Sequence, residues 1–157
     1  MQAIISRKHF LQFATLGTGS LFLAPSLTAQ QDKPPALKPE LVKDFVIAGH
    51  GNLEKVKQML SQEPGLLNAC WDWGGGDFET AIEGAGHIGS KDCANYLLAQ
   101  GARMNVFCAA MLGKLDVVKA LLTAYPNLKD SKGPHGLQLM HHAAKGGEDA
   151  KAVLEYL

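Results

Sequence analysis

The stretch Gly136-Leu137-Gln138-Leu139-Met140-His141-His142-Ala143-Ala144-Lys145-Gly146-Gly147 decides how the rest of the chain reads. It sets an apolar helical run against a pair of alanines, then a double glycine, and Val153-Leu154 resume the apolar pattern beyond it. Three earlier segments share this skeleton. They are Ala48-Gly49-His50-Gly51-Asn52-Leu53-Glu54-Lys55-Val56, then Ala85-Gly86-His87-Ile88-Gly89 leading to Cys93 and Tyr96-Leu97-Leu98. The last is Ala109-Ala110-Met111-Leu112-Gly113-Lys114-Leu115-Asp116-Val117-Val118 with Leu121-Leu122. Small alanines on a first helix let a second helix pack closely, and the glycine takes the turn between them. Val, Leu and Met at helical spacing on the second helix bury against the next copy.

These segments resemble the ankyrin repeat, whose pattern is G-x-T-P-L-H-x-A-A-x-x-G followed by an apolar helix. In the fourth copy Gly136, His141, Ala143-Ala144 and Gly147 fall in place, while Gln138-Leu139 stand where Thr-Pro is usual. The resemblance implies an all-α solenoid of stacked antiparallel helix pairs, about four repeats over residues 41–157, with a final repeat that is incomplete or frayed at Leu157. It also implies a structural role for His141, tying neighbouring repeat loops. Successive second alanines, Ala48, Ala85, Ala110 and Ala144, lie 37, 25 and 34 residues apart, against about 33 in the family. The first interval therefore carries extra residues at 70–77. The second lacks about eight, so a tight turn at residues 101–105 replaces a finger and the fingers are irregular.

Residues 1–29 read as a secretory leader. Arg7 and Lys8 precede an uncharged apolar stretch that ends Ser26-Leu27-Thr28-Ala29. The run Ser6-Arg7-Lys8-His9-Phe10-Leu11 is similar to a twin-arginine signal, with Lys8 at the second arginine, so both that route and the general secretory route stay open. Gly17, Gly19 and Pro25 interrupt the stretch and argue against a permanent membrane helix. Residues 30–40, polar and Pro-rich, read as a linker. The expected location is the bacterial periplasm or the exterior. Removing the leader leaves 13 basic against 15 acidic residues, a net of −2, which argues against nucleic-acid or anionic-membrane binding.

Several residues invite chemistry. Gly84-Ala85-Gly86-His87-Ile88-Gly89 spells G-x-G-x-x-G, but it lies across the alanine anchor and inter-helix turn of the second copy, and the next acid of note, Asp116, belongs to the third, so a dinucleotide site is rejected. His87, His141 and His142 suggest a metal or small-molecule module. Adjacent histidines on a helix diverge by about 100°, and no H-E-x-x-H or C-x-x-C accompanies them, so no metal or other cofactor is expected. Cys93 and Cys108 are expected as buried thiols, with a disulfide between them open in an oxidising compartment. Glu79 and Glu83 share a helix face if the helix begins early, and would be the acids of a small hydrolase. A solvated acidic rim is the preferred reading, and no enzyme is expected.

Trp71-Asp72-Trp73-Gly74-Gly75-Gly76-Asp77-Phe78 is the segment richest in binding potential, because it holds both tryptophans on the enlarged loop. The rings either stand out as anchors or fold down over the first helices. A polar loop at residues 126–135 forms the facing wall. The expected function is a monomeric scaffold that binds another protein of some basic character, through Trp71, Asp72, Trp73, Asp77, Phe78, Glu79, Lys132 and His135.

Overall fold

The computed structural model describes residues 33–157; the leader at 1–29 and the start of the linker lie outside the described residues. The described part is mostly helical, with one small two-stranded sheet. Eight α-helices fall into four pairs: α1 (Pro39–Gly49) with α2 (Leu53–Gln62), α3 (Ala81–Ile88) with α4 (Lys91–Ala99), α5 (Val106–Met111) with α6 (Leu115–Ala124), and α7 (Leu139–Lys145) with α8 (Lys151–Tyr156).

Local chemistry sets each start. Pro39 opens α1, where its missing N–H costs nothing, and Glu40 lies in the first turn beside the positive helix end. Asn52 caps α2 by accepting from Lys55 N–H at 3.1 Å. Glu83 reaches back to the Thr80 N–H (2.8 Å) and hydroxyl (2.7 Å) at the start of α3. Asn105 caps α5 through Cys108 N–H at 2.8 Å. Between the paired helices, Gly51, Gly89, Gly113 and Gly147 all take positive φ, as a turn glycine must.

The first helices α1, α3, α5 and α7 pack on one another in succession. Two apolar clusters result, one centred on Phe45, Val46, Leu66 and Leu97, the other on Ala109, Val118, Leu139 and Val153. Residues 100–105 pass from α4 to α5 without a strand, the short connection the 25-residue interval called for. Its consequence is tertiary. Helix α5 is only six residues long, and α3 and α7 touch past it: His141 Nε2–H donates to the His87 carbonyl at 3.1 Å. Cys93 and Cys108 are buried free thiols, and burial pushes the Cys108 thiol up to about 12; no disulfide joins them.

His142 is fully buried against Phe107. Its Nδ1–H donates to the Gln138 carbonyl at 3.0 Å, and its Nε2 has no protein partner. Burial holds its pKa below the ordinary imidazole value, against the opposing pull of the Gln138 bond. The unfolded chain therefore takes up a proton that the folded chain refuses. Stability from this group is whole above the ordinary imidazole pKa and is lost as pH falls toward the lowered one. Denaturant titrations between about pH 7.5 and pH 5.5 will show stability falling, with a shallower slope in His142→Gln; equal slopes would remove His142 as the cause.

Candidate functional site: the hairpin edge and the histidines beneath it

Strands β1 (Cys70–Asp72) and β2 (Phe78–Thr80) form an antiparallel hairpin before α3, in the register Cys70↔Thr80, Trp71↔Glu79, Asp72↔Phe78. Gly74–Gly76 make the tip at positive φ, and Asp72 Oδ1 accepts from the N–H groups of Gly74 (2.8 Å) and Gly76 (3.2 Å). Alternation sends the paired Trp71 and Glu79 toward the helices and Asp72 and Phe78 toward solvent. The polarity is inverted from a simple amphipathic strand: Phe78 is 59% exposed and Glu79 is 0% exposed.

Glu79 is thus not part of a solvated acidic rim, because the strand period of two points it inward. Trp71 is half-buried against the core, with the Lys43 ammonium 5.5 Å from its ring centroid, so it covers the first helices. Trp73 keeps 36% of its surface exposed and donates its indole N–H to Glu79 Oε2 at 2.8 Å. Asp77 accepts from the backbone N–H of His135 at 2.8 Å and from its Nδ1–H at 2.9 Å, and these bonds hold its carboxyl below the usual carboxylate range. The loop before α7 is thereby fastened to the hairpin, with His135 at φ 58°, the only non-glycine residue of positive φ among the described residues. Lys132 lies exposed in the same loop, bridged to Gln138.

Beneath this edge Glu79 meets three histidines. His87 Nε2 is 2.9 Å from Glu79 Oε1, while His50 Nε2 and His135 Nε2 each lie 3.5 Å from Oε2. His50 Nε2 and His87 Nε2 are 3.0 Å apart. One ligand atom from each of the four residues falls within 4.8 Å of all the others, so these are the residues able to hold a cation. Burial alone would raise the Glu79 pKa; the close contacts with His87, Trp73 and His50 outweigh it and bring the pKa down.

His141 and His142 stay out of the cluster, each bonded to a backbone carbonyl. Glu83 serves as the α3 cap and accepts from Asn105 Nδ2 at 2.7 Å, so Glu79 and Glu83 belong to different networks. Two glycines of the G-x-G-x-x-G run serve close packing: a side chain on Gly84 would stand 2.7 Å from the His50 ring, and one on Gly89 2.7 Å from the Lys145 carbonyl oxygen. His50 is the residue that sequence reasoning passed over. A signal existed, since Ala48-Gly49-His50 and Ala85-Gly86-His87 are the same tripeptide at the same place in consecutive repeats. Stacking sets such positions side by side, and here the two rings meet edge-on with centroids 4.8 Å apart.

Comparison with protein-family models, curated proteins and solved structures gives no match to the chain.

Proposed function

We propose that this protein is an exported, ankyrin-type stack of four repeats that binds a partner protein along its hairpin edge, as a monomer and without catalysis. The observation that carries this reading is the exposure of Phe78 and Trp73 on a hairpin that projects beside the packed first helices. Large apolar side chains left in water at a fixed position are what an interface core supplies. Asp72 and Lys132 provide the polar rim, and Asp77 with His135 holds the two loops in register, which lowers the ordering cost of binding. Acidic residues outnumber basic ones after leader removal, which suits a partner of some basic character. The repeat skeleton and the four positive-φ turn glycines support the ankyrin assignment. Residues 1–29 support export. Among the described residues, no helix is long and apolar enough to cross a membrane.

Crosslinked capture from the native compartment tests the reading. Phe78→Ala is expected to weaken capture of the partner by about 1–2 kcal/mol, roughly ten-fold, with an unchanged melting temperature. Trp71→Ala is expected to lower stability instead. Equal capture by wild type and Phe78→Ala moves the interface away from the hairpin.

A further inference from the structure

We propose that His50, Glu79, His87 and His135 form a binding site for one divalent transition-metal cation of the zinc class. The inference goes beyond partner binding, which calls for no metal, and it rests on the lone pairs of these four residues.

His50 commits its Nδ1–H to the Val46 carbonyl at 2.9 Å, an acceptor that fixes the tautomer and leaves Nε2 with a bare lone pair. His135 commits its Nδ1–H to Asp77, and its Nε2 is likewise bare. Both bare nitrogens face Glu79, whose carboxylate is wholly buried. Trp73 satisfies Oε2, yet Oε1 has no hydrogen bond. His87 turns its Nε2 to the same point, 3.0 Å from His50 Nε2 and 2.9 Å from Glu79 Oε1. The 3.0 Å between His50 Nε2 and His87 Nε2 leaves room for one proton between them, and that proton cannot serve both this contact and Glu79 Oε1. A cation can.

The surroundings match what metal sites use. A ligating histidine ordinarily donates its other N–H to a carbonyl or carboxylate, which aims the ring and raises its basicity; His50 and His135 each do this. Tetrahedral zinc with bonds of about 2.0–2.1 Å sets ligand atoms about 3.3 Å apart; the contacts of 2.9, 3.0, 3.5 and 3.5 Å lie near that value, and the whole set falls within 4.8 Å. Three imidazoles and one carboxylate favour Zn²⁺, Co²⁺, Ni²⁺ or Cu²⁺ over Mg²⁺ and Ca²⁺, which prefer all-oxygen shells. Asp77, one bond behind His135, brings a second negative charge beside the ion. The ligands come from the end of α1 (His50), β2 (Glu79), α3 (His87) and the loop before α7 (His135). One ion would therefore join segments 85 residues apart in sequence.

The test uses protein without an affinity tag, freed of metal by chelator and titrated with Zn²⁺ and Co²⁺. Expected are one ion per chain, a raised melting temperature, the strong visible absorption of four-coordinate Co²⁺, and no response to Mg²⁺. His50→Ala and His135→Ala should each weaken Zn²⁺ binding by more than ten-fold. Asp77→Asn, acting through the orientation of His135, should weaken it by about 10–100-fold. The variant His141→Ala, outside the cluster, should bind as wild type does. His135 is exposed, and its metal-free variant is checked by circular dichroism and melting, so that weakened binding is not read from an unfolded chain. No saturable Zn²⁺ binding below about 100 μM overturns the site. So does binding that survives both histidine substitutions, or that His141→Ala abolishes.

Discussion

Gly113→Ala will lower the stability of the protein by about 4 kcal/mol, enough to bring the melting temperature down by roughly 15 °C. Two costs combine. Gly113 turns the chain from α5 into α6 at φ 67°, in the left-handed region where a side chain is strained. A Cβ there would also stand 1.9 Å from the carbonyl oxygen of Asp149 and 2.7 Å from its carbon. Because the obstruction is backbone, relief requires α8 and the turn before it to move away from α5. Against a total stability of about 5–15 kcal/mol for a domain of this size, that loss is severe. Gly101→Ala separates the two costs. It too has positive φ, 93°, but nothing lies within 4 Å of the added carbon, so only the conformational cost of about 1 kcal/mol remains. Thermal melts of the two variants beside wild type measure the difference. Equal shifts would mean that the close approach of repeats three and four carries no weight.

Glu79→Ala, in chelator-treated protein, is expected to cost about 3 kcal/mol in a urea titration, although it removes an acid from a strand on the surface hairpin. The carboxylate is the centre of the site: Trp73 N–H donates to it, and His87, His50 and His135 face it. Its removal leaves the Trp73 N–H without its acceptor and empties the space between β2 and α3. Glu79→Gln keeps the volume and one carbonyl acceptor and should cost less, about 1–2 kcal/mol. Trp73 fluorescence gives an independent reading, because the indole loses its hydrogen bond and emission shifts to the red in Glu79→Ala. A cost under about 0.5 kcal/mol, the range of an ordinary surface substitution, would mean that Glu79 does not organise the hairpin.

The repeat skeleton was legible because it is local. Each Ala-Ala or Ala-Gly pair, turn glycine and spaced run of Val and Leu acts within one helix pair, and residues a few positions apart report it faithfully. The tight passage at residues 101–105 was legible as missing length in the 25-residue interval. The hairpin was also readable as an enlarged finger, and Phe78 as one of its exposed contacts. What could not be read is which way the residues of β2 face. Glu79 reads as part of a solvated rim, and only docking of the hairpin on the helices turned it inward.

His50 and His87 shared a tripeptide, a trace of their adjacency, but the position of His135 carried none. It reaches Glu79 through the loop before α7, which Asp77 fastens to the hairpin, where α3 and α7 touch past α5. In a regular stack each repeat touches its neighbours alone, so the sequence order of repeats predicts their contacts. The sequence by itself determined four helix pairs and an enlarged loop between the first two. Tertiary structure decided that three histidines and one buried glutamate would share a centre, because that depends on the docking of four segments far apart in sequence: the end of α1, β2, α3 and the loop before α7.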